Sequence, residues 1–268
     1  MDRLKNLFEN KEGKVLSIYF TAGYPDLDDT EKIILELDKN GVDLIEIGIP
    51  FSDPLADGPT IQASGQKALE NGMTLELLLQ QLEDIRRKTE IPLVLMGYLN
   101  SIIQFGEERF CQKCEEIGID GVILPDLPLE FYQEKYKTLF DQYNLNNILL
   151  ISPQTSEERI REIDAYSSGF VYLVSSNSIT GSNKDLSLQN DYFERVQKMN
   201  LSNPKMVGFG IHDAQSFDHA TELTEGAIIG SAFIKSLSDR ANIETNIEKF
   251  VKSIQTAKNI LKEANIDL

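Results

Sequence analysis

Two carboxylates stand out in the segment GVDLIEIGIPFSDPLADGPTIQ: Glu46 lies inside an otherwise apolar run, and Asp57 lies in the turn-rich loop after it, which also carries Asp53. An ionised acid among apolar side chains is costly unless it is paired, hydrogen-bonded or protonated, so burial pushes its pKa toward the range of a general acid/base. A structural acid satisfied by its neighbours is the other reading of Glu46. Asp57 precedes Gly58 and Pro59 and also suits an Asx-type turn. A loop in that position can close over a substrate and deliver its acid by motion.

A second group lies near the C-terminus, where VGFGI contains Phe209 and Gly210 and AIIGSAFIKSL contains Gly230 and Ser231. Glycine lets the backbone approach an anion closely, and Ser231 is expected to cap a short helix whose free N–H groups favour negative charge, so this pair reads as a phosphate cradle. Ordinary turn chemistry is the alternative. The segment SSNSITGSNKD reads as a flexible lid, from which Thr180 and Gly181 could reach the same phosphate or meet Asp57, or else as a plain solvated loop. Tyr19, Met96, Ile151, Tyr172 and Phe209 sit at the ends of apolar runs and suggest a substrate with a flat apolar part.

Eight short apolar runs would position these groups: Val15 to Phe20, Leu44 to Ile47, Leu93 to Met96, Val122 to Leu124, Ile148 to Ile151, Val171 to Val174, Met206 to Phe209 and Ala227 to Ile229. Their lengths suit strands buried on both faces. Between them lie amphipathic segments at helical spacing, such as DTEKIILELDKNG with Ile33, Ile34 and Leu37 and a stop at Gly41, LELLLQQLEDIRRKT, and ERIREIDAYSSG. Strand and helix alternating eight times predicts a (β/α)8 TIM barrel, residues 1–268 forming a single domain. An open doubly wound sheet would carry a G-x-G-x-x-G turn after its first strand, and FTAGYPDLDD is not one. The segment Asp2 to Glu12, with Leu4, Leu7 and Phe8 on one face, predicts an extra helix capping the barrel bottom. The last segment, with Ile247, Phe250, Ile254 and Leu261, predicts the final outer helix.

A barrel of this kind works at the C-terminal ends of its strands. A Schiff-base lysine would have to project there, yet Lys205 begins its strand and lies at the wrong end. With 2 histidines, His212 and His219, a metal cluster is not expected. Cys111 and Cys114 form a C-x-x-C on a predicted helix with no second pair to complete a zinc site, and they read as packing residues. Two carboxylates acting without a cofactor remain.

The formal charge of -17 opposes nucleic-acid binding. The apolar runs are too short to span a bilayer, and the opening MDRLKNLFENKEGK lacks the apolar core of a signal peptide, so a soluble cytoplasmic protein is expected.

The segment IEIGIPFSDPLADGPTIQ closely resembles the signature of the tryptophan synthase alpha-subunit family. FTAGYP, MGYLN, GVILPDLPLEF, FVYLVSSNSITG, GFGI and IIGSAFIK extend the resemblance over nearly the whole chain. It implies retro-aldol cleavage of indole-3-glycerol phosphate to indole and glyceraldehyde 3-phosphate, with no cofactor in this chain. By matching motif, Glu46 would protonate indole C3 and handle the glycerol hydroxyl proton, and Asp57 would stabilise or accept the proton at the indole nitrogen. Gly181, Gly210, Gly230 and Ser231 match phosphate contacts; Tyr19, Ile61, Met96, Ile123, Ile151, Tyr172 and Phe209 match an indole pocket, and Tyr98 an active-site tyrosine. The implied partner is a pyridoxal-phosphate-dependent beta subunit in an αββα heterotetramer. Ser176 and Ser178 stand where many members have an Arg and a Gly, and Pro125 where some have a small residue, which bears on lid closure and on signalling between subunits. A free-standing lyase that releases indole alone, and a noncatalytic barrel that activates a partner, are the competing readings.

Overall fold

The computed structural model describes residues 2–175, 183–208, 210–238 and 242–264, with the side chains of 183–190 and 256–264 outside the description. The apolar runs become eight parallel strands: β1 (Val15–Thr21), β2 (Leu44–Gly48), β3 (Leu93–Met96), β4 (Gly121–Ile123), β5 (Asn146–Ile151), β6 (Val171–Val174), β7 (Lys205–Gly208) and β8 (Gly226–Ile229). Each pairs with the next, and β1 pairs with β8, closing the (β/α)8 barrel. Several strands begin earlier than their apolar runs, because Gly121, Asn146, Lys205 and Gly226 join the backbone ladder whatever their side chains. A backbone ladder asks only for N–H and C=O groups.

Strand side chains alternate between two apolar clusters. Val15, Tyr19, Leu44, Val94, Ile123, Ile148, Tyr172, Met206 and Ile228 fill the barrel interior. Leu16, Ile18, Phe20, Ile45, Ile47, Leu95 and Val207 face the helices outside. With both faces apolar, the strands lose the in/out signal in sequence while keeping it in space.

The helix Arg3–Asn10 closes the bottom. Asp2 caps it by accepting from the Lys5 N–H at 3.0 Å, and Leu4 is fully buried with the barrel-interior residues. Phe8 packs on Phe170, ring centroids 6.1 Å apart. Beside it, buried Asp120 accepts from Arg86 Nη2 at 2.6 Å, from the Leu93 N–H at 2.8 Å and from Arg3 Nη1 at 3.3 Å. One carboxylate thereby joins the capping helix to the starts of β3 and β4.

The predicted helix over LELLLQQLEDIRRKT is broken. An α-helix, Leu75–Gln81, is capped by Thr74, and a 3-10 turn, Ile85–Arg87, follows. The tighter turn lets Leu82 and Ile85 both bury fully and aims Arg86 at the Gly118 and Ile91 carbonyls. The helices Asp29–Lys39 and Glu157–Tyr166 form as expected, and Ile33, Ile34 and Leu37 are buried. Cys111 and Cys114 are both buried on the helix Glu107–Ile117, where burial pushes the Cys111 thiol up to about 12 and the Cys114 thiol well above its usual value. In the last helix, Ile243–Ala264, Ile247 and Ile254 are buried and Phe250 meets Phe233 at 5.4 Å; the Leu261 side chain lies outside the described residues.

Candidate active site

Two of the cavities among the described residues, similar in size, lie at opposite ends of the barrel. The larger, about 650 Å³, lies at the N-terminal ends of the strands and is lined by Arg3, Asp120 and Asn146 among others. The second, about 560 Å³, opens at the C-terminal ends and is lined by Tyr19, Asp57, Ile61, Met96, Tyr172, Gly210, Gly230 and Ser231. The smaller one is the candidate site, because strand ends and βα loops converge there and the candidate acids stand on that side.

Glu46 occupies the middle of β2, its Cα paired with those of Tyr19 on β1 and Val94 on β3. It is fully buried, and neither carboxyl oxygen makes a close hydrogen bond within the described residues. Burial pushes its pKa up to about 8, and the Ser17 hydroxyl pulls it back only in part. At neutral pH the group is therefore mostly protonated and can donate a proton inside the barrel.

Asp57 is half-buried in the loop after β2. Its side chain accepts from the Tyr98 hydroxyl at 3.2 Å, and that same hydroxyl accepts from the Ala56 N–H at 3.0 Å. The Tyr98 ring stacks on Phe51, centroids 4.9 Å apart. The loop backbone closes through the Asp57 N–H to the Pro54 carbonyl at 3.2 Å, and Gln62 donates to the Asp57 carbonyl at 2.8 Å. The carboxylate thus bonds a tyrosine 41 positions away instead of its own turn. Burial raises its pKa, and the Tyr98 bond lowers it.

Two glycines that sequence reasoning passed over admit the site's buried phenols. A Cβ at Gly48 would lie 2.1 Å from the Tyr19 hydroxyl, and one at Gly208 would lie 1.9 Å from that of Tyr172. The available signal was a glycine inside each strand, which marks a close approach. Burial and the nearby carboxylates raise both phenols, Asp57 and Glu46 acting on Tyr19, and Glu46, Tyr19 and Asp57 on Tyr172.

Ile61, Met96 and Tyr172 line the apolar wall, and Ile123 is buried in the barrel interior below it. Ile151 does not join them: it packs in the outer cluster against the helices, and Leu150 takes the inward position on β5, because β-strand side chains alternate. Gly210, in the left-handed region at φ 78°, Gly230 and Ser231 line the far end of the cavity. Ser231 is not the cap of its helix. Gly230 holds that position without a side-chain bond, and Ser231 is the first residue inside Ser231–Ser236. His212 and Lys235 also line this end and were not singled out as site residues. Thr180, Gly181 and Phe209, with Ser176 and Ser178, lie outside the described residues. Lys205 sits at the bottom of β7, paired with Glu225 at 3.1 Å. Among the described residues, no group of three or more His, Cys, Asp or Glu side chains converges to hold a metal ion.

A family model described as tryptophan synthase alpha chain matches residues 4–264. The tryptophan synthase alpha chain of Christiangramia forsetii is 57% identical over 256 residues, covering 95% of this chain and 99% of that one. That of Flavobacterium psychrophilum is 56% identical over 255 residues, covering 95% and 100%. Among solved structures, tryptophan synthase subunit alpha from Legionella pneumophila superposes with a TM-score of 0.88 at 32% identity, covering 97% of this chain and 99% of that one. Agreement of sequence and barrel over nearly the full length of both partners leaves one conclusion: the chain belongs to the tryptophan synthase alpha-chain family.

Proposed function

We propose that Glu46 and Asp57 are the acid/base pair by which this chain carries out the alpha reaction of tryptophan synthase, the retro-aldol cleavage of indole-3-glycerol phosphate. What supports the assignment above all is that Glu46 is a fully buried carboxyl, mostly protonated at neutral pH, on the strand between those of Tyr19 and Met96, which line the cavity together with Asp57. Glu46 gives its proton to indole C3 while Asp57 takes up the charge or the proton at the indole nitrogen. The resulting indolenine is the electron sink. Glu46, now ionised, removes the proton from the glycerol hydroxyl next to the ring, the bond from C3 to that carbon breaks, and its electron pair restores the indole. Each carboxylate ends the cycle as it began, so the chain's own chemistry asks for no cofactor.

The cavity's two ends suit the two ends of this substrate. Tyr19, Ile61, Met96 and Tyr172 offer the indole an apolar wall, and Gly210, Gly230 and Ser231 offer the phosphate close backbone approach, with Lys235 nearby. Thr180 and Gly181 belong to the same reading, as residues of the lid. The partner in this reading is a tryptophan synthase beta subunit in an αββα heterotetramer, in the cytoplasm, and pyridoxal phosphate belongs to that subunit. Exposed apolar side chains support a docking face on the site's side: Leu55 in the loop after β2, Ile103 after β3 and Phe131 after β4. No described helix is long and apolar enough to cross a membrane.

The test is indole release by the full chain, with and without a beta subunit. Glu46→Gln is expected to slow cleavage by roughly a thousandfold or more while phosphate-ligand affinity stays within about threefold. Cleavage at the normal rate by that variant would sink the mechanism. Fast turnover without a partner, unchanged on adding one, would favour the free-standing lyase.

A further inference from the structure

Tyr19 reads in sequence as part of an apolar wall, but the structure places its polar end elsewhere. Its Cα pairs with that of Glu46 across β1 and β2, and β1 pairs with β8 on its other side. On one side the ring lies against Gly230, where a Cβ would come within 3.3 Å of Cδ1. On the other, the hydroxyl sits over Gly48, the last residue of β2, at the point where the chain leaves for the loop that carries Asp57. No side chain but hydrogen fits at Gly48: a Cβ would lie 2.1 Å from the hydroxyl and 2.6 Å from Cζ. After burial, the charge of Asp57 is the largest influence on this phenol, followed by its hydrogen bond with Thr21 and then the charge of Glu46.

The position that Asp57 holds is set by Tyr98, whose hydroxyl serves both Asp57 and the Ala56 N–H. A hydroxyl shared in that way ties the acid to its own loop at the cavity rim. For Asp57 to meet a bound indole nitrogen, the carboxylate has to be presented inward, into the cavity that Tyr19 also lines. We propose that the Tyr19 hydroxyl is a positioning residue for Asp57, donating a hydrogen bond that holds the carboxylate inward and ionised over the substrate. The inference rests on the assignment of Asp57 as the group at the indole nitrogen.

A donor to an ionised acid favours the ionised form, so losing it shifts the acid limb of activity toward higher pH. Tyr19→Phe keeps the ring against Gly230 and removes the hydroxyl alone. In the full chain, assayed for indole release with and without beta subunit, it is expected to lower kcat about tenfold, leave KM within about twofold, and move the acid limb of the kcat profile upward. In an Asp57→Asn background the same change is expected to have little further effect, because the carboxylate it serves is gone. The proposal is overturned if Tyr19→Phe leaves kcat and the acid limb unchanged, if it raises KM alone, or if its effect is equal in both backgrounds. Full activity of Asp57→Asn by itself would instead overturn the role of Asp57, so the two failures are distinguishable.

Discussion

Glu46 is fully buried, and the fold moves its titration away from the ordinary carboxylate range. Its folded pKa of about 8 lies above the ordinary 4.5, so the fold favours the protonated form and ionisation works against folding. The sign follows: between about pH 4.5 and pH 8 the native chain holds a proton that the unfolded chain has lost, and stability falls as pH rises through that window. Glu46→Gln removes the titration, so its stability advantage over the unmodified chain is expected to grow across the same window, to on the order of a few kcal/mol. Urea midpoints at pH 5, 7 and 8.5 measure it, and a constant gap would show that the carboxyl is not held protonated. A buried acid that weakens its own fold at working pH fits the catalytic role proposed for Glu46 and has no use in a docking module.

At the level of elements, the site depends on how strands and helices are tied at the opposite end. Asp120 is 6% exposed and receives Arg86, Arg3 and the first N–H of β3, so its charge is spread over three elements. Arg86→Met leaves that carboxylate short of its closest partner and is expected to destabilise by about 3 kcal/mol, lowering Tm by roughly 6–12 °C. Thermal unfolding checks this, and an unchanged Tm would mean that Arg3 alone suffices. Cleavage by the folded variant at 25 °C is expected to be near normal, because the network lies at the end of the barrel away from Glu46 and Asp57. The broken helix before β3 belongs to the same network: helical periodicity ran through Leu82 to Ile85, but Arg86 is satisfied only by carbonyls and a carboxylate that the barrel brings to it.

For the whole molecule, a charge of -17 repels an anionic substrate at long range, but salt screens that field within about 8 Å, so the local polar end of the cavity decides binding. The exposed apolar side chains on three successive βα segments belong to this scale too. Leu55 is 95% exposed, so Leu55→Asp is expected to leave folding unchanged. If the face docks a beta subunit, that variant weakens association by about tenfold or more, read as a rightward shift when indole release is titrated with the partner. An unshifted titration would place the interface elsewhere.

The sequence by itself determined the number and order of strands, the closed barrel, the capping helix and an acid buried in the second strand, because each rests on local hydrophobic pattern and side-chain type. Tertiary structure alone decided which face each strand residue takes. With both faces apolar, nothing in the sequence separates Ile151, which packs outward, from Leu150, which points in. It also decided that Gly48 and Gly208 admit the phenols of Tyr19 and Tyr172, and that Asp57 is held by Tyr98. Those are contacts between segments far apart in the chain, and closing the barrel is what brings them within bonding distance.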